Sequence, residues 1–219
     1  MVDAPDVKTR ILDAAAQEFS REGFAGTKVD AIAKRAGVNK AGLYYHVGNK
    51  EKLYEAVLLH LFAQVAGTLE QAAAPETAPG AALGALTAAL ADLFTRLPVL
   101  PRIMALEMAS GAVNMPQAAL AEFRRIFAVT RGILARGQAA GLLVAAEPVF
   151  VHLTLVGSMI VYCLSEPLRL RFAAAGRDMG LDMERPVADM AAFLAQVMGR
   201  GLARTDGPGL LGGGGPCID

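Results

Sequence analysis

Tryptophan is absent from this chain, and cysteine occurs only twice, at Cys163 and Cys217. Two cysteines make no paired framework, which excludes a small secreted scaffold held by disulfides. Histidine is nearly as scarce. His60 and His152 have no partner of metal-ligand type three or four residues on, so no metal site is expected. Net charge is missing as well: 21 Lys and Arg face 21 Asp and Glu, so the whole chain carries no polycationic signature. No apolar run reaches the roughly 18 residues of a membrane span. The longest, over residues 149–164, is interrupted by His152, Thr154, Gly157 and Ser158. A signal segment of positive then apolar residues is also lacking at the N-terminus, so the expectation is a cytoplasmic protein with no membrane partner. Finally, there is no Gly-x-Ser-x-Gly elbow, no paired His-Glu metal motif and no glycine-rich phosphate loop after a strand. These absences argue against an enzyme: no catalytic residues and no cofactor are expected.

What is present is apolar and alanine-rich, with few β-branched runs, which favours an all-α protein. Charge is unevenly placed. Residues 27–52 hold six Lys or Arg against two acids, a local net of +4 by subtraction, and a local patch is what nucleic-acid binding requires. The same stretch reads as two short helices and a tight turn. Thr27 and Asp30 match the Thr-x-x-acid capping box, so a helix should start at Lys28. Val29, Ile32, Ala33 and Ala36 then share one apolar stripe. Gly37 ends that helix, Asn39 caps the next, and Asn49 caps a third. The middle helix carries Lys40, Tyr44, Tyr45 and His46 on one side and only Leu43 and Val47 as apolar anchors. A short helix so built suits the DNA major groove, about 12 Å wide. Lys50 and Lys52 beside the next helix start make a natural phosphate seat.

Gly23-Phe24, Thr27, Ile32-Ala33, Ala36-Gly37-Val38, Leu43-Tyr44-Tyr45-His46 and Asn49-Lys50-Glu51-Lys52-Leu53 resemble, at unbroken spacing over residues 8–60, the DNA-binding domain of TetR-family transcriptional regulators. Two positions depart from the family pattern: Ala41-Gly42 offers no side chain where Ser, Thr or Pro is frequent, and Val47 stands where Phe is usual. The resemblance implies a DNA-contacting set of Thr27, Lys28, Asn39, Lys40, Ala41, Gly42, Tyr44, Tyr45, His46 and Lys50. Within it Lys40 and Tyr44 would read bases. Tyr45, His46 and Lys50 would meet phosphates, as would Thr27 besides capping its helix. The partner would be a palindromic double-stranded operator bound by a homodimer.

The rest of the chain reads as helices. The first spans about residues 7–22, stopped by Gly23, with Phe24 packing back. A long one over 50–73 links a helix-turn-helix domain, residues 1–52, to a helical ligand-binding and dimerisation domain, residues 53–202. Breakers fill 74–80. Helices are then expected over 81–97, 101–110, 117–140, 148–164 and 186–202, with 169–183 ambiguous. Residues 1–6 should be a loose arm and 203–219 a disordered tail. Met104, Met108, Phe123, Phe127, Met159 and Tyr162, with Phe62, either line a cavity for a small hydrophobic or amphipathic effector or fill a plain core. His152 is a satisfied core histidine or the polar anchor of that cavity. Glu107 pairs with an arginine or meets the ligand. Gly157-Ser158 permits a close helix approach, within the bundle or across the dimer interface that the resemblance places on the last two helices.

Overall fold

The computed structural model describes residues 6–74 and 77–204. The arm over 1–5, positions 75–76 of the breaker loop, and the tail from 205 on, with Cys217, lie outside the described residues. Among those described there are helices and no strands, as the composition leads one to expect.

Helix α1, Val7–Gly26, is capped by Asp6, whose carboxylate accepts from the Thr9 amide at 2.7 Å. Gly23 breaks it with φ +67, so the regular helix stops where the sequence places its end, and Phe24–Gly26 add one further turn. Phe24 does pack back: its ring centroid lies 5.0 Å from that of Tyr54 and 6.3 Å from that of Phe19. Helix α2, Val29–Ala36, lays Ile32, Ala33 and Ala36 into the core and ends on Gly37 in the left-handed conformation, φ +68. The capping box at its start does not form. Lys28 occupies the cap position without a side-chain bond, and the Thr27 hydroxyl points back along the chain to the Gly23 carbonyl at 2.7 Å. Thr27 therefore closes α1 rather than opening α2. Helix α3, Lys40–Val47, and helix α4, Lys50–Ala72, are capped as expected: Asn39 accepts from the Gly42 amide at 2.6 Å and Asn49 from the Lys52 amide at 2.8 Å.

Helix α4 buries Leu53, Val57, Leu61, Val65 and Leu69 at i+4 spacing and runs from α1 to the C-terminal helices. These are α5, Pro79–Arg96; α6, Val99–Ala109; α7, Gln117–Ala139; α8, Pro148–His152; α9, Ser158–Leu164; α10, Glu166–Arg171; α11, Ala173–Asp178; and α12, Val187–Leu202. Leu153–Gly157, between α8 and α9, are wound as a π-helix, so the apolar run expected as one plain helix contains a wider turn. The run ends at Leu164 as expected, and Pro167 follows. It sits in the first turn of α10, where a missing N–H costs nothing. The ambiguous region after it holds α10 and α11. Buried side chains form one continuous cluster from Ile11 to Leu202, so the core crosses residue 52 without a seam. The end of α12 is clipped to the loop after α7 by backbone bonds from Val144 to Leu202 and from Arg204 to Leu142.

Candidate nucleic-acid interface and ligand cavity

Helix α3 is held by one fully buried side chain, Leu43, with Val47 half-buried beside it. Everything else the sequence reading singled out on it faces outward: Lys40, Ala41, Tyr44, Tyr45 and His46 are exposed, and Tyr45 is 87% exposed. A ring left that bare buries little surface within the fold and is open to contact from outside. Gly42 is explained by its neighbour. A Cβ there would lie 3.1 Å from the Asn39 carboxamide oxygen that caps the helix. The Lys40 ammonium reaches Asp30 on α2 at 3.1 Å, and that hydrogen bond holds its pKa above the usual lysine range. Both partners are exposed, so the pair is easily exchanged for another anion. The Lys50 ammonium lies 4.7 Å over the Phe24 ring and 3.4 Å from the Ala25 carbonyl, at the start of α4. Lys28 and Asn39 are exposed. Thr27 is the exception in this set: it is buried with its hydroxyl turned inward, so it orders the entry to α2 and offers no hydroxyl to a phosphate.

The residues expected around a ligand divide three ways. Phe62, Met104, Phe123 and His152 do converge, with Leu90, Phe94 and Ile160, on an apolar chamber of about 40 Å³ among α4, α5, α6, α7, α8 and α9. Phe127 is not part of the chamber wall; its ring packs against the imidazole, 5.2 Å between centroids. His152 is bonded through Nδ1 to the Thr130 hydroxyl at 3.0 Å, and burial pushes its pKa down. Met159 is fully buried but does not reach the chamber wall. Met108 and Tyr162 belong elsewhere. Met108 is 62% exposed, because it lies on the outer face of α6. Tyr162 faces a separate cleft of about 600 Å³; its hydroxyl donates to the Arg185 carbonyl at 2.8 Å and its ring lies 3.9 Å under the Arg169 guanidinium. Glu107 neither pairs with an arginine nor faces the chamber. It is buried and accepts from the Tyr54 hydroxyl, while its second oxygen has no partner among the described residues. This contact between α4 and α6 left no trace in the sequence, because the two residues are 53 positions apart.

The family model for bacterial regulatory proteins of the tetR family matches residues 11–57. The HTH-type transcriptional repressor SCO4008 of Streptomyces coelicolor is 30% identical over 191 residues, 87% of this chain and 95% of that protein. The HTH-type transcriptional repressor NicS of Pseudomonas putida is 28% identical over 203 residues, 92% of this chain and 94% of that one. Among solved structures, a regulatory protein of the tetR family from Rhodococcus RHA1 superposes with a TM-score of 0.74 at 19% identity, covering 93% of this chain and all of that one.

Proposed function

The chain belongs to the tetR family of bacterial DNA-binding regulators, and we propose that it is a cytoplasmic homodimeric repressor that leaves a palindromic operator when a small, mostly apolar effector enters the chamber beside His152. The observation that carries the DNA-binding half is α3: one buried anchor, two side-chain-capped neighbouring helix starts, and an outer face of Lys40, Tyr44, Tyr45 and His46. Lys40 and Tyr44 reach base edges; Lys28, Asn39, Tyr45, His46 and Lys50 fix the phosphates on either side, and Ala41 and Gly42 let the backbone approach closely. In a twofold dimer two such helices enter successive major grooves about 34 Å apart.

Dimerisation is supported by an exposed apolar face. Phe150, Leu153, Val161 and Leu164 on the α8–α9 segment and Phe193 and Val197 on α12 are all exposed, from 37% at Leu164 to 69% at Phe150, and a Cβ at Gly157 would meet nothing within 4 Å. Apolar side chains exposed together in this way favour an interaction surface, which supports pairing with a second copy. SCO4008 and NicS, the relatives aligned over nearly their whole length, are repressors by name, which supports repression.

The chamber supports the effector half. At about 40 Å³ it holds one water rather than a drug-sized ligand, so an effector must push its walls apart, and those walls include α4 itself and the α5 and α7 helices that pack on it. Ligand and operator then favour different arrangements of one molecule, which is the condition for mutual exclusion. The test is selection of bound duplexes from a randomised pool by the full chain. An enriched palindrome with half-sites one helical turn apart is expected; recovery of no enriched sequence at low salt overturns the reading.

A further inference from the structure

A second cleft, of about 290 Å³, lies where α1 and α2 meet the start of α6, and it gathers cations. Gln17, Ser20 and Arg21 from α1, Arg35 from α2, and Val99 and Arg102 from α6 line it. Arg35 is engaged: its Nε donates to Glu18 at 2.6 Å and its Nη1 to the Gln17 carboxamide oxygen at 2.8 Å, which turns the Gln17 amide nitrogen free as a further donor. Arg21 and Arg102 have no carboxylate partner among the described residues. Three guanidinium groups against the one carboxylate of Glu18 leave a net charge of +2 at the cleft. Asp13, one turn earlier on α1, lines the adjoining cleft and not this one.

Unpaired like charges held in one concavity repel each other and raise the local concentration of anions. The planar fork of arginine matches phosphate oxygens two at a time, and a phosphomonoester carries about −1.5 to −2 at neutral pH, close to the charge left over. No aromatic ring lines the cleft, so a nucleobase would find nothing to stack on, and recognition rests on the phosphate. We propose that this cleft binds the phosphate group of a small phosphorylated metabolite, a monoester or a diphosphate, through Arg21, Arg102 and the free donors of Arg35 and Gln17. The occupant ties the helix-turn-helix, through α1 and α2, to the C-terminal helices, through α6. None of its lining residues belongs to the proposed operator set or to the wall of the apolar chamber, so it is tested independently of both.

The experiment is calorimetric titration of the full chain with inorganic phosphate and with pyrophosphate, at constant ionic strength in chloride. Saturable binding of one anion per chain is expected. Arg21→Gln with Arg102→Gln together should weaken it at least about tenfold, Arg102→Gln alone by less, and Arg124→Gln on α7 not at all. Both cleft arginines are exposed, so the variants should melt like the parent. Preference for pyrophosphate over phosphate would assign the site to diphosphates, and the reverse to monoesters. Absence of saturable binding to either, or unchanged affinity in the double variant, overturns the proposal.

Discussion

His152 shows how much one residue's meaning depends on what surrounds it. In the sequence it is a histidine in an apolar run, open to two readings. In the structure it is a buried histidine bonded to Thr130, and it stands in the wall of the chamber. Burial lowers its pKa from 6.5, so the unfolded chain takes up a proton at a pH where the folded chain does not. Stability must then fall as pH drops below about 6.5 toward the folded value, by at most about 1.4 kcal/mol per pH unit for this one proton. Denaturant melts between about pH 7.5 and 5.5 should show this loss, and His152→Gln should flatten it. Lys50 makes the complementary case on the proposed operator face. Lys50→Ala removes one phosphate contact from each subunit, so the slope of log affinity against log salt should shrink by about 1.8 for the dimer. Binding should weaken on all sequences alike. Thr27 marks the limit of residue-level reading. Its spacing to Asp30 fits a capping box, yet a carbonyl freed by the break at Gly23 lies closer to its hydroxyl than the next helix does.

Helix ends were legible wherever one local bond decides them. Asn39, Asn49 and Gly37 act within three residues, and their chemistry is written in the sequence. Contacts between helices were not. The Tyr54–Glu107 bond joins α4 to α6 at the foot of the helix-turn-helix, where Tyr54 also packs on Phe19 and Phe24. Tyr54→Phe leaves the buried Glu107 carboxyl without its donor and should cost at least about 2 kcal/mol. Replacing both, Tyr54→Phe with Glu107→Leu, should recover most of that, as a double-mutant cycle by chemical denaturation will show. The α8–α9 and α12 faces make the other test at this scale. Gly157→Leu places a large side chain where the fold of one chain leaves open space, so the monomer should fold as before. If that face meets its twin, the variant should run as a monomer in light scattering and lose operator affinity.

For the molecule as a whole, fold class and the DNA-binding half were legible because both rest on short-range pattern: helical periodicity, caps and a dense local charge. The cavity was half legible. Phe62, Met104, Phe123 and His152 converge as read, while Met108, Phe127, Met159 and Tyr162 do not, because hydrophobicity marks a residue for burial without saying which side of a helix faces the chamber, and Glu107 is taken by Tyr54. The energetics of release set a demand on the effector. Moving the protein from about 99:1 to 1:99 requires a preference of about 10⁴-fold, near 5.5 kcal/mol. Burying roughly 200 Å² of apolar ligand is worth about 5 kcal/mol, and only part of it distinguishes the two states. Small apolar molecules should therefore release DNA partially, and larger ones with one polar group for His152 fully. A thermal-shift screen with matched hydrophobic and polar libraries, followed by operator release, checks this; hits confined to polar metabolites would refute it.

The π-wound segment Leu153–Gly157 has a consequence for reading relatives. Such a turn accommodates one residue more than an α-helix uses over the same length, and one residue of an α-helix is about 100° of rotation. A relative whose corresponding helix is straight must be aligned to this one with a single gap inside 153–157. Without it, every position on one side of the segment is matched to a residue facing a different way. His152 would then be compared with side chains that never see the chamber, or Met159 with side chains that never see the core.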